Sequence, residues 1–329
     1  MSRRFETRKR ALLTAVGLGL VLLLVYSGLQ IVESTVFQST HRPTETVHKK
    51  TVTYEGTDYF PRQDITTLLV MGIDEEGPVK ASGSYRNSGE VDMAALVVLD
   101  QTDESYTILC LNRDTMLNMP VLGVDGSPAG SFYGQLALSH TYGSGLEDSA
   151  ENTREAISSF LNGLTIDYYV AMNMDAISIL NDAVGGVTVN VSDDFSEVDH
   201  TIGFGAVTLN GEQALTFVRS RQDVGNQMNL SRMNRQEEYM RGLSVALGAK
   251  LDESDSFVTN TYDAMDEFMV TDCSVKAASG LMERCAEYNL KQIVSLKGEN
   301  VRGDEFYEFY VDEEELMEQV LRLFYAEKE

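Results

Sequence analysis

Residues 65–74 read Ile-Thr-Thr-Leu-Leu-Val-Met-Gly-Ile-Asp, and this stretch decides the fold. Its apolar side chains are nearly continuous, which is typical of a strand that is buried on both faces of a sheet. Similar apolar runs recur along the chain, and we predict that each is a strand of a central sheet: residues 93–99, 106–111, 168–172, 187–191, 214–218 and 292–296.

Helical patterns separate these runs, and they cover residues 151–161, 175–184, 232–247 and those after Asp312. The last helix has a start signal, because the Asp312 carboxylate can cap backbone amides while Glu315 completes a capping box. Strands interleaved with helices indicate a layered α/β fold. We predict one α/β domain over residues 65–329, with a central mixed β-sheet covered by helices.

An uncharged run precedes this domain at residues 11–32. At ~1.5 Å per residue it is long enough to cross the apolar core of a bilayer. Five basic side chains lie before it, so the positive-inside rule places the N-terminus in the cytoplasm. We therefore predict a cytoplasmic tail (1–10), a single transmembrane helix (11–32) and an extracytoplasmic stalk (33–64). A cleaved signal peptide is the alternative, but no A-x-A site follows the run.

The composition excludes several classes of protein. The formal net charge is −25, which argues against non-specific binding of nucleic acid. Three cysteines are too few and too scattered for a disulfide framework or a thiolate metal site, and the four histidines lack zinc-protease spacing. We predict that Cys110 is a small core residue. A bridge between Cys273 and Cys285 is left open.

Arginines that cluster in an acidic chain indicate an anion site, and four fall within 17 residues: Arg219, Arg221, Arg232 and Arg235. The first two, at the end of a predicted strand, point to one side, and the last two share a helix face. Guanidinium groups bind phosphate oxygens bidentately, so two converging pairs could hold two phosphates. The alternative is ordinary ion pairing with the neighbouring carboxylates Asp223, Glu237 and Glu238.

Carboxylates at the ends of strands form a second candidate site. Asp74 follows the first strand, Asp92 stands just before the second, and Asp114 lies beside Arg113. Ligands of open α/β sheets gather at the carboxyl ends of strands, and such oxygen-rich clusters can hold Mg²⁺ against a diphosphate or supply a general base. Each aspartate could instead be a turn or cap residue.

Eight short segments carry a resemblance: Leu68-Leu-Val-Met-Gly-Ile-Asp74, Val91-Asp92-Met-Ala-Ala-Leu, Asn112-Arg-Asp-Thr115, Tyr168-Tyr-Val-Ala-Met-Asn173, Val184-Gly-Gly-Val-Thr-Val-Asn-Val191, Leu209-Asn-Gly-Glu-Gln-Ala-Leu215, Val218-Arg-Ser-Arg221 and Arg232-Met-Asn-Arg-Gln236. In order and wording they resemble the LytR-CpsA-Psr family of cell-wall proteins.

The resemblance implies a phosphotransferase outside the membrane of a cell with a Gram-positive type of envelope. The donor would be an anionic glycopolymer, teichoic acid or capsular polysaccharide, linked to polyprenyl diphosphate, and the acceptor a hydroxyl of peptidoglycan. The implied catalytic residues are Arg113, Arg219 and Asp92, and Asp74 and Asp92 would hold Mg²⁺. The residues implied for the diphosphate are Arg113, Arg219, Arg221, Arg232 and Arg235.

Two positions depart from the family pattern. Glu90 stands where the family usually has Arg, two residues before Asp92, and Asn229 stands where it usually has Asp. An added anion weakens diphosphate binding unless Arg86 or Lys80 in the nearby loop compensates. The alternative function is therefore a non-catalytic scaffold or regulator of envelope assembly that binds polyprenyl diphosphate.

Overall fold

The computed structural model describes residues 51–220, 223–225, 229–253, 257–273, 277, 281, 284, 288–304 and 306–327. The predicted cytoplasmic tail, the predicted transmembrane helix and residues 33–50 of the predicted stalk lie outside these ranges. Within the described ranges, no helix combines the length and the apolar character needed to cross a membrane.

The strands of the described chain are β1 (Val52–Tyr54), β2 (Thr57–Pro61), β3 (Ile65–Ile73), β4 (Val91–Asp100), β5 (Ser105–Leu111), β6 (Met116–Leu122), β7 (Pro128–Gln135), β8 (Tyr168–Asn173), β9 (Val187–Val191), β10 (Gly205–Leu209), β11 (Met269–Thr271), β12 (Asn289–Ser295), β13 (Gly298–Arg302), β14 (Tyr307–Val311) and β15 (Tyr325–Glu327). Its α-helices are α1 (Glu147–Phe160), α2 (Asp175–Ala183), α3 (Gly211–Arg219), α4 (Asn229–Glu253), α5 (Phe257–Met265) and α6 (Glu313–Phe324). Short 3₁₀ helices cover Leu136–Thr141 and Asp266–Phe268.

Six strands form the central sheet, in the order β11-β8-β3-β4-β5-β12. β3 pairs with β8 in parallel and with β4 antiparallel, and β5 pairs with β4 antiparallel and with β12 in parallel. The sheet is therefore mixed, as we predicted. The continuous apolar runs at β3, β4, β5 and β8 are buried strands of the central sheet, which confirms the prediction for these four runs.

The central sheet is covered on both faces. Leu68 and Val70 of β3 belong to one apolar cluster, together with buried residues of α2, α3 and α4, and we call this side the first face. Leu69 and Met71 alternate with them and belong to a second cluster, which includes residues of α1 and α6. Successive side chains of a strand point to opposite faces, so an uninterrupted apolar strand supplies both cores.

The prediction of a strand at residues 214–218 is wrong, because this run lies in α3. Asn210 caps the helix: its side chain accepts a hydrogen bond from the Gln213 backbone N–H at 2.9 Å, and the Gln213 side chain accepts one from the Asn210 N–H at 3.0 Å. This capping box starts a short amphipathic helix whose buried stripe resembled a strand. Arg219 is consequently the last residue of a helix rather than the end of a strand.

Both boundaries of the folded unit differ in detail from the prediction. β1 and β2 lie within the predicted stalk, yet β2 pairs with β15, with Pro61 opposite Tyr325. The folded part therefore begins before residue 65. At the last helix, Asp312 accepts hydrogen bonds from the Glu314 and Glu315 amides at 3.1 Å, which confirms the predicted cap.

The predicted capping box at that helix is not formed. The Glu315 carboxylate instead accepts the backbone N–H of Lys297 at 3.0 Å, and the Asp312 amide donates to the Lys297 carbonyl at 2.9 Å. Glu315 thus ties α6 to the segment that leads into β13.

Two hairpins, β6–β7 and β13–β14, lie beyond the central sheet. A bridge between Thr115 and Phe309 joins them, and Leu117 and Met119 of β6 pack into the second face. The predicted strand at residues 187–191 is β9, but it pairs with β10 in a separate two-stranded sheet, so its assignment to the central sheet is wrong. Cys110 is buried in the first-face cluster, and burial raises the pKa of its thiol to about 12, as expected of an unreactive core residue. The prediction for Cys273 and Cys285 stays open, since Cys285 lies outside the described residues.

Candidate active site

One edge of the central sheet collects the predicted site residues. Because β3 and β4 are antiparallel, Asp74 after β3 lies near the start of β4, where Asp92 is the second residue. β5 is also antiparallel to β4, so Arg113 and Asp114, which follow β5, reach the same edge. We predicted that Asp92 stands just before its strand. It lies inside the strand instead, as the second residue of β4.

Asp92 is the buried centre of this cluster, with 7% of its surface exposed. Its Oδ1 pairs with Nη1 of Arg113, and its Oδ2 lies 2.9 Å from Nη1 of Arg232. Both arginines are buried as well. Buried charges are costly unless they are paired, so one carboxylate fixes two charged guanidinium groups at the sheet edge.

A second pair of the cluster is more accessible. Arg219 reaches Asp74 and Glu76, each at 2.9 Å, and 40% of its side chain is exposed. Its hydrogen bond to Glu76, together with the nearby charge of Asp74, raises the pKa of Arg219 above its ordinary value. Arg219 is therefore a charged side chain that can exchange surface carboxylates for a phosphate.

Glu90 also belongs to the cluster. Its Oε2 pairs with Nη2 of Arg113, so Arg113 is held between Glu90 and Asp92. The Glu90 side chain is 39% exposed, against 6% for Asp92. The departure from the family pattern therefore places an accessible carboxylate directly on an arginine of the implied diphosphate site.

The loop before Glu90 is held by several hydrogen bonds, which position this residue. The Asn87 amide donates to the carbonyls of His140 and Gly143 at 2.8 and 2.9 Å. Nδ1 of His140 lies 3.0 Å from the Gly89 carbonyl, and burial lowers the pKa of His140 to about 4, so the imidazole is neutral. A Cβ on Gly89 would meet Cγ2 of Ile73 at 2.8 Å, so this close passage over β3 requires glycine.

The two cations that could compensate for Glu90 do not join the cluster. The guanidinium carbon of Arg86 lies 4.1 Å from the centre of the Tyr142 ring. Lys80 is exposed. Among the ion pairs of the described residues, neither side chain contacts Glu90, Asp92 or Asp74.

Arg235 lies on the same helix as Arg232 but has other partners. Its Nη1 lies 2.5 Å from Asp193, and its Nε donates to the Phe217 carbonyl at 2.9 Å. Burial lowers its pKa. Arg235 thus fastens α4 to the end of α3, beside Arg219, and the structure does not bring it to Asp92. Arg221 lies outside the described residues.

Arg219, Arg232 and Arg235 form ion pairs with carboxylates that are distant in sequence: Asp74, Glu76, Asp92 and Asp193. Glu237 accepts from the Ser295 hydroxyl at 3.0 Å, and Glu238 accepts from the Asn190 amide at 2.9 Å. Arg232 pairs instead with a carboxylate 140 positions away. Asp114 is buried, with its Oδ1 3.3 Å from the Gln135 amide and 3.8 Å from Nε of Arg113.

An apolar cavity of about 110 Å³ lies between the first face and helices α2, α3 and α4. The sheet contributes side chains such as Val70, Ala95 and Val97, and the helices contribute others such as Leu180 and Met240. Among its described lining residues only Asp92 and Arg219 are charged. The charged cluster therefore forms one polar part of a wall that is otherwise apolar.

The predicted magnesium ligands share their oxygens with arginines. Both oxygens of Asp92 and Oδ1 of Asp74 are paired with guanidinium groups. In the described ranges no three His, Cys, Asp or Glu side chains are grouped to hold a metal ion. Mg²⁺ commonly binds one or two carboxylates and completes its shell with water and phosphate oxygens. Asp74, which is partly exposed and pairs through one oxygen, fits Mg²⁺ in that manner, whereas Asp92 could bind the ion only by giving up an arginine partner.

Sequence reasoning could not locate the apolar cavity, and it did not single out Gln236. The side chain of Gln236 lines the cavity and donates to the Val218 carbonyl at 3.3 Å. Its position four residues after Arg232, on the same helix face, was the available signal. Nothing in an apolar run shows whether its side chains pack against each other or line an empty space.

Two named relatives are similar over most of the chain. The polyisoprenyl-teichoic acid–peptidoglycan teichoic acid transferase TagU of Oceanobacillus iheyensis is 26% identical over 241 residues, which cover 72% of this chain and 65% of the relative. TagU of Halalkalibacterium halodurans is 27% identical over 262 residues, which cover 77% and 76%. The chain thus spans a little under two thirds of the first relative.

Solved structures share the fold. TagV of B. subtilis superposes with a TM-score of 0.59 at 23% identity, covering 79% of this chain and 97% of TagV. TagT bound to LIIa-WTA superposes with a TM-score of 0.59 at 22% identity, covering 79% and 90%. Residues 25–323 match the LytR_cpsA_psr family. This match spans well over half of the sequence, and the chain therefore belongs to the LytR-CpsA-Psr family.

Proposed function

We propose that this protein is a membrane-anchored phosphotransferase that attaches an anionic glycopolymer, teichoic acid or capsular polysaccharide, from a polyprenyl-diphosphate carrier to peptidoglycan. One observation carries the proposal: Asp92 and Arg219 line an apolar cavity, and Asp92 pairs there with Arg113 and Arg232. A lipid diphosphate has the same two parts, a long apolar chain and a compact dianionic head. The names of the TagU relatives support the same class of reaction.

Donor binding uses the two parts of the site separately. The polyprenyl chain occupies the cavity, where burial of apolar surface favours it by roughly 25 cal/mol per Å². The diphosphate meets Arg113, Arg219 and Arg232. Arg113 and Arg232 are fixed by Asp92, whereas Arg219 leaves its surface carboxylates and closes on the phosphates. Preorganised cations of this kind favour the transition state because they need not reorient during the reaction.

In the chemical step a hydroxyl of peptidoglycan attacks the phosphorus next to the sugar. A new bond forms between the hydroxyl oxygen and this phosphorus, and the bond to the bridging oxygen of the diphosphate breaks. Polyprenyl phosphate leaves with that oxygen, and the glycopolymer stays attached to peptidoglycan by a phosphodiester. Charge on the leaving oxygen grows during the step, so the arginines lower its energy.

The proton of the attacking hydroxyl passes to a carboxylate. Asp92 is poorly suited as its acceptor because both of its oxygens face guanidinium groups. Glu90 is more exposed and lies at the same arginine, so we assign it the role of general base. Asp92 then acts through Arg113 and Arg232, as the residue that positions them.

Asp74 and Asp92 would hold Mg²⁺ together with oxygens of the diphosphate. The ion would neutralise phosphate charge, which is the usual role of a metal in phosphoryl transfer. The predicted transmembrane helix at residues 11–32 keeps the domain at the outer surface of the cell membrane, where a membrane-bound donor can enter the cavity. The domain has no role with nucleic acid.

The proposal is tested with the full chain purified in detergent. It is incubated with a polyprenyl-diphosphate oligosaccharide, peptidoglycan and Mg²⁺, and the lipid products are measured by mass spectrometry. We expect polyprenyl monophosphate to accumulate with time and to require both protein and acceptor. Absence of this product, with the donor intact and bound, would refute the transferase.

A second candidate is supported by the ion pair between Glu90 and Arg113. A carboxylate on a phosphate-binding arginine neutralises part of its charge, so the protein could retain the lipid without turning it over. Such a protein would be a scaffold or regulator of envelope assembly. It predicts that polyprenyl diphosphate co-purifies with the chain and remains uncleaved when acceptor and Mg²⁺ are added.

A further inference from the structure

Two tyrosines are exposed on one face of the two outer hairpins, and we call them the tyrosine patch. Tyr133 on β7 is 52% exposed, and Tyr310 on β14 is 41% exposed. The bridge between Thr115 and Phe309 places β14 beside β6, and with the β6–β7 register it brings Tyr310 and Tyr133 to the same face. The Tyr310 hydroxyl donates to Glu308 at 2.7 Å. Single exposed aromatic residues are ordinary, but two on one face of hairpins bonded to the candidate site indicate a binding surface.

The tyrosine patch is continuous with the active site through Asp114, which follows Arg113. The Gln135 side chain donates to Asp114 Oδ1 at 3.3 Å and to the Tyr307 carbonyl at 2.8 Å. The Phe309 amide donates to the Asp114 carbonyl at 2.8 Å. Both hairpins are therefore bonded directly to the loop that carries a phosphate-binding arginine.

The tyrosine patch and the cavity lie on opposite sides of the sheet edge. The cavity is on the first face, whereas Leu117 and Met119 of the β6–β7 hairpin pack into the second face. In phosphoryl transfer the attacking and leaving oxygens lie roughly in line on opposite sides of phosphorus. With the leaving polyprenyl phosphate on the cavity side, the attacking hydroxyl arrives from the side of the hairpins.

We infer that the tyrosine patch binds the glycan strand of the peptidoglycan acceptor, a neutral β-1,4-linked chain of N-acetylhexosamines. This inference rests on the proposed function. Apolar sugar faces pack on tyrosine rings, and the polar rim of each ring and nearby side chains bond sugar hydroxyl and amide groups. Glu299 lies opposite Tyr310 across the β13–β14 hairpin, Glu308 bonds the Tyr310 hydroxyl, and Gln135 lies two residues after Tyr133 on β7.

The charge of this surface favours the acceptor over the polymer of the donor. The two charged side chains that neighbour Tyr310 in the hairpin, Glu299 and Glu308, are both acidic, in a chain of formal net charge −25. An anionic glycopolymer would be repelled from such a surface, whereas a neutral glycan would not. The charge of the tyrosine patch therefore favours binding of the peptidoglycan glycan.

The test is a titration of the full chain in detergent with chitohexaose, a soluble β-1,4-linked N-acetylglucosamine oligomer, followed by ligand-observed NMR. We expect saturable binding that weakens about fivefold or more in Tyr133→Ala and in Tyr310→Ala. Tyr310→Phe keeps the ring and should keep most of the affinity. Phe204→Ala, at a side chain that is 69% exposed outside these hairpins, should bind as the native protein does.

Equal chitohexaose binding by the native protein and a Tyr133→Ala, Tyr310→Ala double variant would overturn the inference. So would tighter binding of a poly(glycerol phosphate) of equal length. Binding of polyprenyl diphosphate is measured in parallel and should not change in the tyrosine variants. If that lipid does not bind the native protein while chitohexaose still depends on the tyrosines, the proposed function fails and the glycan surface stands.

Discussion

Nη1 of Arg232 lies 2.9 Å from Oδ2 of Asp92, and this contact joins a helix to a strand 140 positions away. The same carboxylate pairs with Arg113 through its other oxygen. A single buried aspartate therefore decides where two cations stand at the edge of the sheet. Stability and phosphate binding depend on the same three side chains.

Asp92→Asn should destabilise the fold, because it removes the counter-charge that Asp92 supplies to two buried guanidinium groups. We expect the free energy of unfolding to fall by about 3 kcal/mol. Asp74→Asn is the matched control: its carboxylate is 36% exposed and pairs with an exposed arginine, so it should cost under about 1 kcal/mol. Urea unfolding followed by tyrosine fluorescence measures both, and equal losses would contradict this description of the cluster.

Arg219→Ala should leave the fold intact and remove catalysis. Its side chain is 40% exposed, but it is the only arginine among the described residues that line the cavity, so its loss removes transition-state charge stabilisation. We expect turnover to fall about 100-fold or more. Arg322→Ala, at an exposed position on α6, should retain native turnover. Native rates in Arg219→Ala would remove it from the site.

Met240→Trp should block the lipid chain without altering the charged cluster. Met240 lines the cavity from α4, and a larger side chain there fills space that the lipid needs. Val245→Trp on the same helix is the control, because Val245 is 54% exposed and does not line the cavity. We expect binding of a long polyprenyl diphosphate to weaken at least about tenfold in the first variant only. Binding of a short-chain analogue should change less, and equal effects on both lipids would place the chain elsewhere.

Glu90→Gln should have opposite effects on binding and turnover. Removing the carboxylate frees Arg113 for phosphate, so the dissociation constant of the donor should fall about fivefold. The general base is lost at the same time, so turnover should fall about 100-fold. Donor binding measured by calorimetry and turnover by lipid release separate the two effects. Turnover that rises with affinity would show that Glu90 only inhibits.

Stability should also depend on His140 below neutral pH. Burial lowers the folded-state pKa of His140 to about 4, from 6.5 in the unfolded chain, so the unfolded state binds more protons between these values. The stabilising contribution is complete above pH 6.5 and is lost as the pH falls to 4. The stability advantage of the native protein over His140→Asn should therefore shrink by up to about 3 kcal/mol over that window. A constant difference in unfolding free energy would show that the imidazole does not titrate there.

The sequence predicted the parts of this structure that depend on local pattern. The buried strands at β3, β4, β5 and β8 were evident because few other structures need so many consecutive apolar residues. The prediction of a strand at residues 214–218 was wrong because a five-residue apolar run fits a short amphipathic helix equally well. Asn210 and Gln213 form a capping box, which is the sequence signal that distinguishes this helix from a strand.

The partners of the arginines could not be predicted from spacing. Arg232 and Arg235 are three residues apart, yet one bonds Asp92 and the other Asp193, because small rotations along a helix turn side chains toward different neighbours. The cavity is invisible for a similar reason, since Leu180 and Val97 have the same apolar character in a filled core. Family resemblance implies Arg113, Arg219 and Asp92 as site residues, and the structure adds that two arginines share Asp92.

The most direct test of the central claim is the destination of the phosphorus next to the sugar. A donor with ³³P at that position is incubated with the full chain, peptidoglycan and Mg²⁺, and the peptidoglycan is then digested with a muramidase and analysed by mass spectrometry. We predict labelled muropeptides that carry the oligosaccharide through a phosphodiester, with unlabelled polyprenyl phosphate released in equal amount. Label that stays in bound, uncleaved lipid would contradict the transferase and leave a binding protein.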